Sequence, residues 1–156
     1  MATLEEIAKT ARQRTGNNPA FAGDVTPAEA WEILSSIPES RLIDVRSEAE
    51  WQFVGVPNLD SIRKKPVLLS LLHYPGMTEN KNFFPMLERS IAKKDTPLVF
   101  LCRTGGRSTA AAKMASENGY THAFNIAGGF EGDHNEVGHR SNTNGWRAEG
   151  LPWQQA

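Results

Sequence analysis

The sequence predicts an α/β domain in three layers, with a central, mostly parallel β-sheet and helices on both faces. Residues 98–102 read LVFLC, an apolar run with no polar alternation, as expected of a strand covered on both faces. The turn RTGGRS follows, then TAAAKMASEN, rich in helix formers, then Gly119 as a helix stop. A second extended stretch, His122 to Ile126, completes a strand–helix–strand crossover, the unit that joins parallel strands. Helical and extended patterns alternate over the rest of the chain, which is the α/β signature.

From the start, Thr3 with Glu6 makes a capping-box pattern, and a helix is expected to about Arg14. Gly16, Asn17, Asn18 and Pro19 mark residues 15–22 as a loop. Thr26-Pro27-Ala28-Glu29 opens a second helix, with Thr26 as cap and Pro27 at the first helical position. It should run to about Ser36 and stop before Pro38. Arg41 to Val45, RLIDV, reads as a short strand. Ser47 to Glu50 repeats the capping pattern and starts a short helix carrying Trp51 and Phe53. Residues 54–82 are less distinct, and Val67 to Leu72 fits a strand or a helical turn. Phe84, Leu87 and Ile91 share a face on a helix expected over about Pro85–Ala92.

The chain has 156 residues, enough for one domain whose core needs no disulfide or metal staple. Net charge is −1 with acids and bases interspersed, so neither nucleic acid nor an anionic membrane is expected as a partner. No stretch approaches the roughly 20 apolar residues of a membrane span. The N-terminus carries Glu5 and Glu6 and no apolar core, unlike a secretory signal. The single cysteine, Cys102, permits no internal disulfide, and the four histidines are scattered. No metal or other cofactor is therefore expected, and the compartment is expected to be reducing and cytoplasmic.

Chemistry concentrates in residues 102–108. In open α/β sheets, sites form beyond the carboxyl ends of strands, where Cys102 stands. A helix starting near Arg107 or Ser108 turns its free N–H groups and positive dipole end toward the loop. Gly105 and Gly106 let the backbone curl so that several amides face one point. Arg103 and Arg107 add positive charge, and Thr104 and Ser108 complete the loop. This setting favours a thiolate. Hydrogen bonds to a charged group contribute ~1.5–3 kcal/mol each, and a helix N-terminus ~0.3–1 kcal/mol. Two or three cradle amides then suffice without a general base, and no His, Asp or Glu lies within the loop. The alternative is a buried structural cysteine, but a packing turn needs no such cluster of arginines and glycines.

CRTGGRS, preceded by LVFL and followed by an alanine-rich helix, resembles the active-site loop of rhodanese-like sulfurtransferases. RLIDVRSEAEW resembles the family's upstream signature, FNIAGGFEG its downstream signature, and NGWRAEGLPW its C-terminal close. The resemblance spans about Asp24 to Trp153. It implies a single-domain rhodanese-like unit over residues 24–156, of three-layer fold, with residues 1–23 a helix and loop extension. It also implies an enzyme, thiosulfate sulfurtransferase-like, in which Cys102 takes sulfur from thiosulfate or a persulfide. Cys102 would pass it to a thiol, cyanide or protein acceptor. Phosphatase and arsenate-reductase relatives use a seven-residue loop, whereas Cys102 to Arg107 counts six residues, the sulfurtransferase length. A non-catalytic sulfur carrier or partner-binding module on the same fold is the remaining alternative. VGVPNLDS stands where the family has G-H-I-x-G-A, and residues 133–144 are inserted before Trp146.

Asp44, Arg46 and Glu50 are expected to support the loop structurally. Asp44 would accept loop amides or an arginine, and Arg46 would pair with Glu50 four residues on. His73 and His122 are expected in the core, and Trp31, Trp51, Trp146 and Trp153 as core and closing contacts. The insertion, with His134, His139 and Arg140, is expected to be an exposed loop. The segment Ser70 to Met86, with Tyr74 and Met77, would form a docking surface wherever it is exposed.

Overall fold

The computed structural model describes residues 2–16 and 19–155; Asn17 and Asn18 of the expected loop, with Met1 and Ala156, lie outside the described residues. Helix α1 (Leu4–Thr15) opens on its capping box, Glu6 N–H donating to Thr3 Oγ1 at 3.2 Å. Strand β1 (Gly23–Val25) leads into α2 (Pro27–Ser36), started by the Thr26–Glu29 box with Pro27 in its first turn. Strand β2 (Arg41–Asp44) is followed by α3 (Glu48–Phe53), capped by Ser47 and Glu50.

The indistinct stretch folds into short pieces: β3 (Val56–Pro57), a 3-10 turn at Asp60–Ile62, β4 (Val67–Leu68), β5 (Leu72–His73) and β6 (Thr78–Glu79). The ambiguous run from Val67 is extended beside β2, with Leu69 N–H donating to Asp44 O and Leu71 N–H to Val45 O. Helix α4 (Phe83–Ser90) starts two residues before Pro85. Pro85 then lies in the first turn, where its missing N–H leaves no bond unmade. Strand β7 (Leu98–Leu101), helix α5 (Gly106–Glu117), strand β8 (Ala123–Ile126) and the short β9 (Trp153–Gln154) complete the chain.

Five strands form one sheet in the order β1-β8-β7-β2-β4, with every neighbouring pair parallel. One face carries α4 and α5, whose Phe83, Leu87, Ala111 and Ala115 cluster with Ile43, Phe100 and Ala123. The other carries α1 and α2, whose Ile7, Ala11, Ile33 and Leu34 cluster with Leu42, Val99, Leu101 and Phe124. This is the expected three-layer α/β fold. Both faces of β7 are covered, which accounts for its unbroken apolar run.

Of the four tryptophans only Trp146 is fully buried; Trp31 meets it edge-on with ring centroids 6.0 Å apart, and Trp153 is 40% exposed. Neither expected core histidine is in the core. His73 is exposed on the β5–β6 ribbon, which lies outside the five-stranded sheet, and His122 is partly exposed where the chain enters β8. Among the described residues, no helix is long and apolar enough to cross a membrane, and no group of three His, Cys, Asp or Glu side chains is placed to hold a metal ion.

Candidate active site

The chain leaves β7 at Leu101 and turns through residues 102–105 into α5, which puts Cys102 beyond the carboxyl end of a central strand. Cys102 is 1% exposed. The Gly105 N–H donates to Sγ at 3.0 Å, and Ser108 Oγ lies 3.1 Å from Sγ. Gly105 has φ +125°, a conformation side-chain-bearing residues rarely adopt, and it caps α5 one residue ahead of the expected start. Among the described residues only this amide reaches the sulfur, not the two or three expected. The amides of Arg103, Thr104, Gly106, Arg107 and Ser108 have no backbone acceptor among the described residues.

The two arginines differ in what holds them. Arg103 is exposed, with no ion-pair partner among the described residues. Arg107 donates Nη1 and Nη2 to the two carboxylate oxygens of Glu50 at 2.6 and 2.9 Å. Burial pushes the Glu50 carboxyl up, but the bond and charge of Arg107, with Ser47, outweigh it and hold Glu50 below its ordinary 4.5. Burial also opposes the Arg107 charge, and Glu50 more than restores it, with Cys102 and Asp44 contributing.

Arg46 does not pair with Glu50. It precedes the Ser47 cap, so it lies off the helix and the four-residue spacing does not bring it round. Its Nε and Nη2 instead donate to the two Asp44 carboxylate oxygens at 2.9 and 2.6 Å, and Nη2 also to Gly55 O at 2.8 Å. Asp44 and Arg46 are fully buried, and the guanidinium lies 4.3 Å from the centroid of the Phe130 ring.

Residues 129–132 back the loop. Phe130 N–H donates to Cys102 O at 2.8 Å, and the N–H groups of Glu131 and Gly132 donate to Arg103 O. In front is a cavity of about 590 Å³, with Arg103, Arg107, Ser47 and Glu50 on its polar side and Phe53, Val54, Tyr74, Pro75 and Met77 on its apolar side. Phe53, Tyr74 and Met77 are exposed, so part of the suggested docking segment does reach the mouth, whereas Phe83 is core. The insertion does not line this cavity. His134 and Val137 border a separate hollow, and Arg140 Nη1 donates to Gly132 O at 2.7 Å.

The profile of the STR4 middle domain family matches residues 22–156. The chain belongs to the STR4 middle domain family. It is similar to the uncharacterized protein RP600 of Rickettsia prowazekii, 36% identical over 132 residues that span 84% of this chain and 96% of that protein. The crystal structure of Rv0390 from M. tuberculosis superposes with a TM-score of 0.80 at 48% identity, covering 87% of this chain and 99% of that one. The polysulfide-sulfur transferase homodimer of Wolinella succinogenes shares the fold, with a TM-score of 0.58 at 24% identity over 100% of this chain and 95% of that one. The fold of this STR4 middle domain is rhodanese-like.

Within the STR4 middle domain, residues 102–108, Glu50 and the Asp44–Arg46 pair come together at one end of the sheet. Sequence reasoning missed Asn125 and Asp24, which join the site from β8 and β1. Ser108 Oγ is 2.5 Å from Asn125 Oδ1, and Asn125 Nδ2 donates to Asp24 Oδ1 at 2.9 Å. The available signal was Asn125 itself, the lone polar side chain of an otherwise apolar buried strand.

A pH dependence follows from the lowered Glu50. A depressed carboxylate contributes stability that is present above its unfolded value and is lost as pH falls through its folded value. Glu50→Gln is therefore expected to melt below the unaltered domain at pH 7, and the gap should close as pH falls below 4.5. Paired thermal melts check this; a gap that is constant with pH would show that the Glu50 charge is not involved.

Proposed function

We propose that this domain is a thiosulfate sulfurtransferase-like enzyme that carries sulfane sulfur as a Cys102 persulfide. The observation that carries the reading is that Cys102 opens a turn whose amides, apart from Gly105, have no backbone acceptor among the described residues, with Arg103 exposed at the mouth. The Cys102 thiolate attacks the outer sulfur of thiosulfate. A bond from Sγ to that sulfur forms, the donor's S–S bond breaks, and sulfite leaves with the electron pair. With an organic persulfide as donor, a thiolate leaves instead. The terminal sulfur of the persulfide is anionic, and the loop amides and the positive end of α5 stabilise it. A thiolate or cyanide then attacks the terminal sulfur, and Cys102 departs as the thiolate that began the cycle.

Arg103 takes the anionic end of the donor, and Phe53, Tyr74 and Met77 receive the carbon skeleton of a larger donor or the side chains of a protein acceptor. A nucleophilic thiol that must stay reduced suits a reducing compartment such as the cytoplasm. The commitment of Arg107 to Glu50 weighs against phosphoryl transfer, which needs the loop arginine on the phosphate. The fold shared with the Wolinella sulfur transferase supports the same reading.

Intact mass after incubation with thiosulfate tests it. The unaltered domain should gain the mass of one sulfur atom, and cyanide should remove it. Cys102→Ser should gain nothing. Persistently sulfur-free protein under excess donor would end the sulfurtransferase reading.

A further inference from the structure

Ser108 brings one hydroxyl proton to a place with two claimants. Its Oγ is 2.5 Å from Asn125 Oδ1 and 3.1 Å from Cys102 Sγ; a third neighbour, Gly105 O at 3.2 Å, is already bonded by Thr109 Oγ1 at 2.7 Å. The orientation of Asn125 is not free. Its Nδ2 lies 2.9 Å from Asp24 Oδ1, and a carboxylate accepts without donating. The NH2 group therefore faces Asp24, and the carbonyl faces Ser108. A carbonyl also only accepts, so the Ser108 O–H is drawn to Asn125, and the sulfur meets the lone pairs of Oγ. Ser108 is 0% and Asn125 4% exposed, so water does not replace either partner.

We infer that Asp24 and Asn125 are positioning residues that set the direction of the Ser108 hydroxyl and thereby restrain Cys102. When the sulfur is neutral, the proton stays on the Asn125 side. When it is charged, the hydroxyl swings to Sγ, because hydrogen bonds to ionised acceptors are about twice as strong as neutral ones. Once Sγ is bonded to a sulfane sulfur it is neutral again, and the hydroxyl returns to Asn125. Only the O–H rotates; no proton leaves Ser108. Removing the Asn125 carbonyl should release the restraint and make Cys102 more reactive, not less.

The inference rests on Cys102 as the nucleophile of the proposed transfer, but its test reads the cysteine directly. Cys102 is the single cysteine of the chain, so the native rate of iodoacetamide uptake, followed by intact mass, reports it alone. Ser108→Ala should alkylate about tenfold more slowly, the loss of one hydrogen bond to a charged sulfur. Asn125→Leu, close in volume, should alkylate about threefold faster, since the Ser108 hydroxyl then has the sulfur as its main acceptor. The double variant should fall back to the Ser108→Ala rate. A merely structural Asn125 would speed uptake by loosening a buried cysteine whether or not Ser108 is present, so an unchanged or slower Asn125→Leu, or a double variant as fast as Asn125→Leu, overturns the inference. If that variant does not fold, Asp24→Asn takes its place. An amide at position 24 lets Asn125 turn over, and the same acceleration is expected, again only with Ser108 present; an unchanged rate there also overturns the inference. Absence of persulfide with thiosulfate alongside this alkylation pattern would remove the sulfur-transfer reading and leave the restraint standing.

Discussion

Asp44→Ala is expected to cost about 3–5 kcal/mol of folding free energy, the usual loss when one partner of a buried ion pair is removed. Arg46 has no exposed surface, and two of its guanidinium bonds run to Asp44. Without Asp44, Gly55 O and the Phe130 ring face are its remaining partners, and Nη1 already has none. A neutral carbonyl and an aromatic face do not offset a guanidinium held out of water. A small domain has about 5–15 kcal/mol in all, so the variant should unfold at much lower urea with a similar slope. Asp44→Ala/Arg46→Met should recover part of the loss, because the stranded charge is gone. A urea midpoint shift worth less than about 1 kcal/mol would mean that Arg46 finds water after all.

What the sequence discloses and what it hides divides along chain distance. The boxes Thr3–Glu6, Thr26–Glu29 and Ser47–Glu50 are local, each linking a cap to the residue three positions on, and all three form. The run LVFL is legible because burial on both faces leaves no polar alternation. Glu50 was legible as a cap, but its second partner, Arg107, lies 57 residues away. Asn125 and Asp24 are 101 residues apart and meet only because β8 pairs with β1 in a register that places them side by side. No periodicity encodes that pairing. Residues 54–82 form strands of two residues each, too short for any period to show. Arg46 was misassigned by a helix rule applied two residues ahead of the helix, before its cap.

Gly129→Ala is expected to slow persulfide formation by about tenfold to a hundredfold, the scale of misplacing a reacting group by roughly an ångström. A Cβ at this position would stand 2.5 Å from both Cys102 O and Arg103 O, and Gly129 has φ +64°. Those oxygens are backbone, so they cannot turn aside as a side chain does. They also accept the Phe130 and Glu131 N–H groups that fix the back of the loop. Relief therefore requires the loop itself to move, taking Cys102 and the open amides out of register with each other. Gly138→Ala is the matched control. Its φ of +77° brings similar backbone strain, but nothing lies within 4 Å of the added carbon, and its rate should be unaltered. Sulfur gain from thiosulfate, followed in time by intact mass with helix content checked by circular dichroism, separates the two. Equal rates in both variants would mean that residues 129–132 do not hold the loop in its reactive shape.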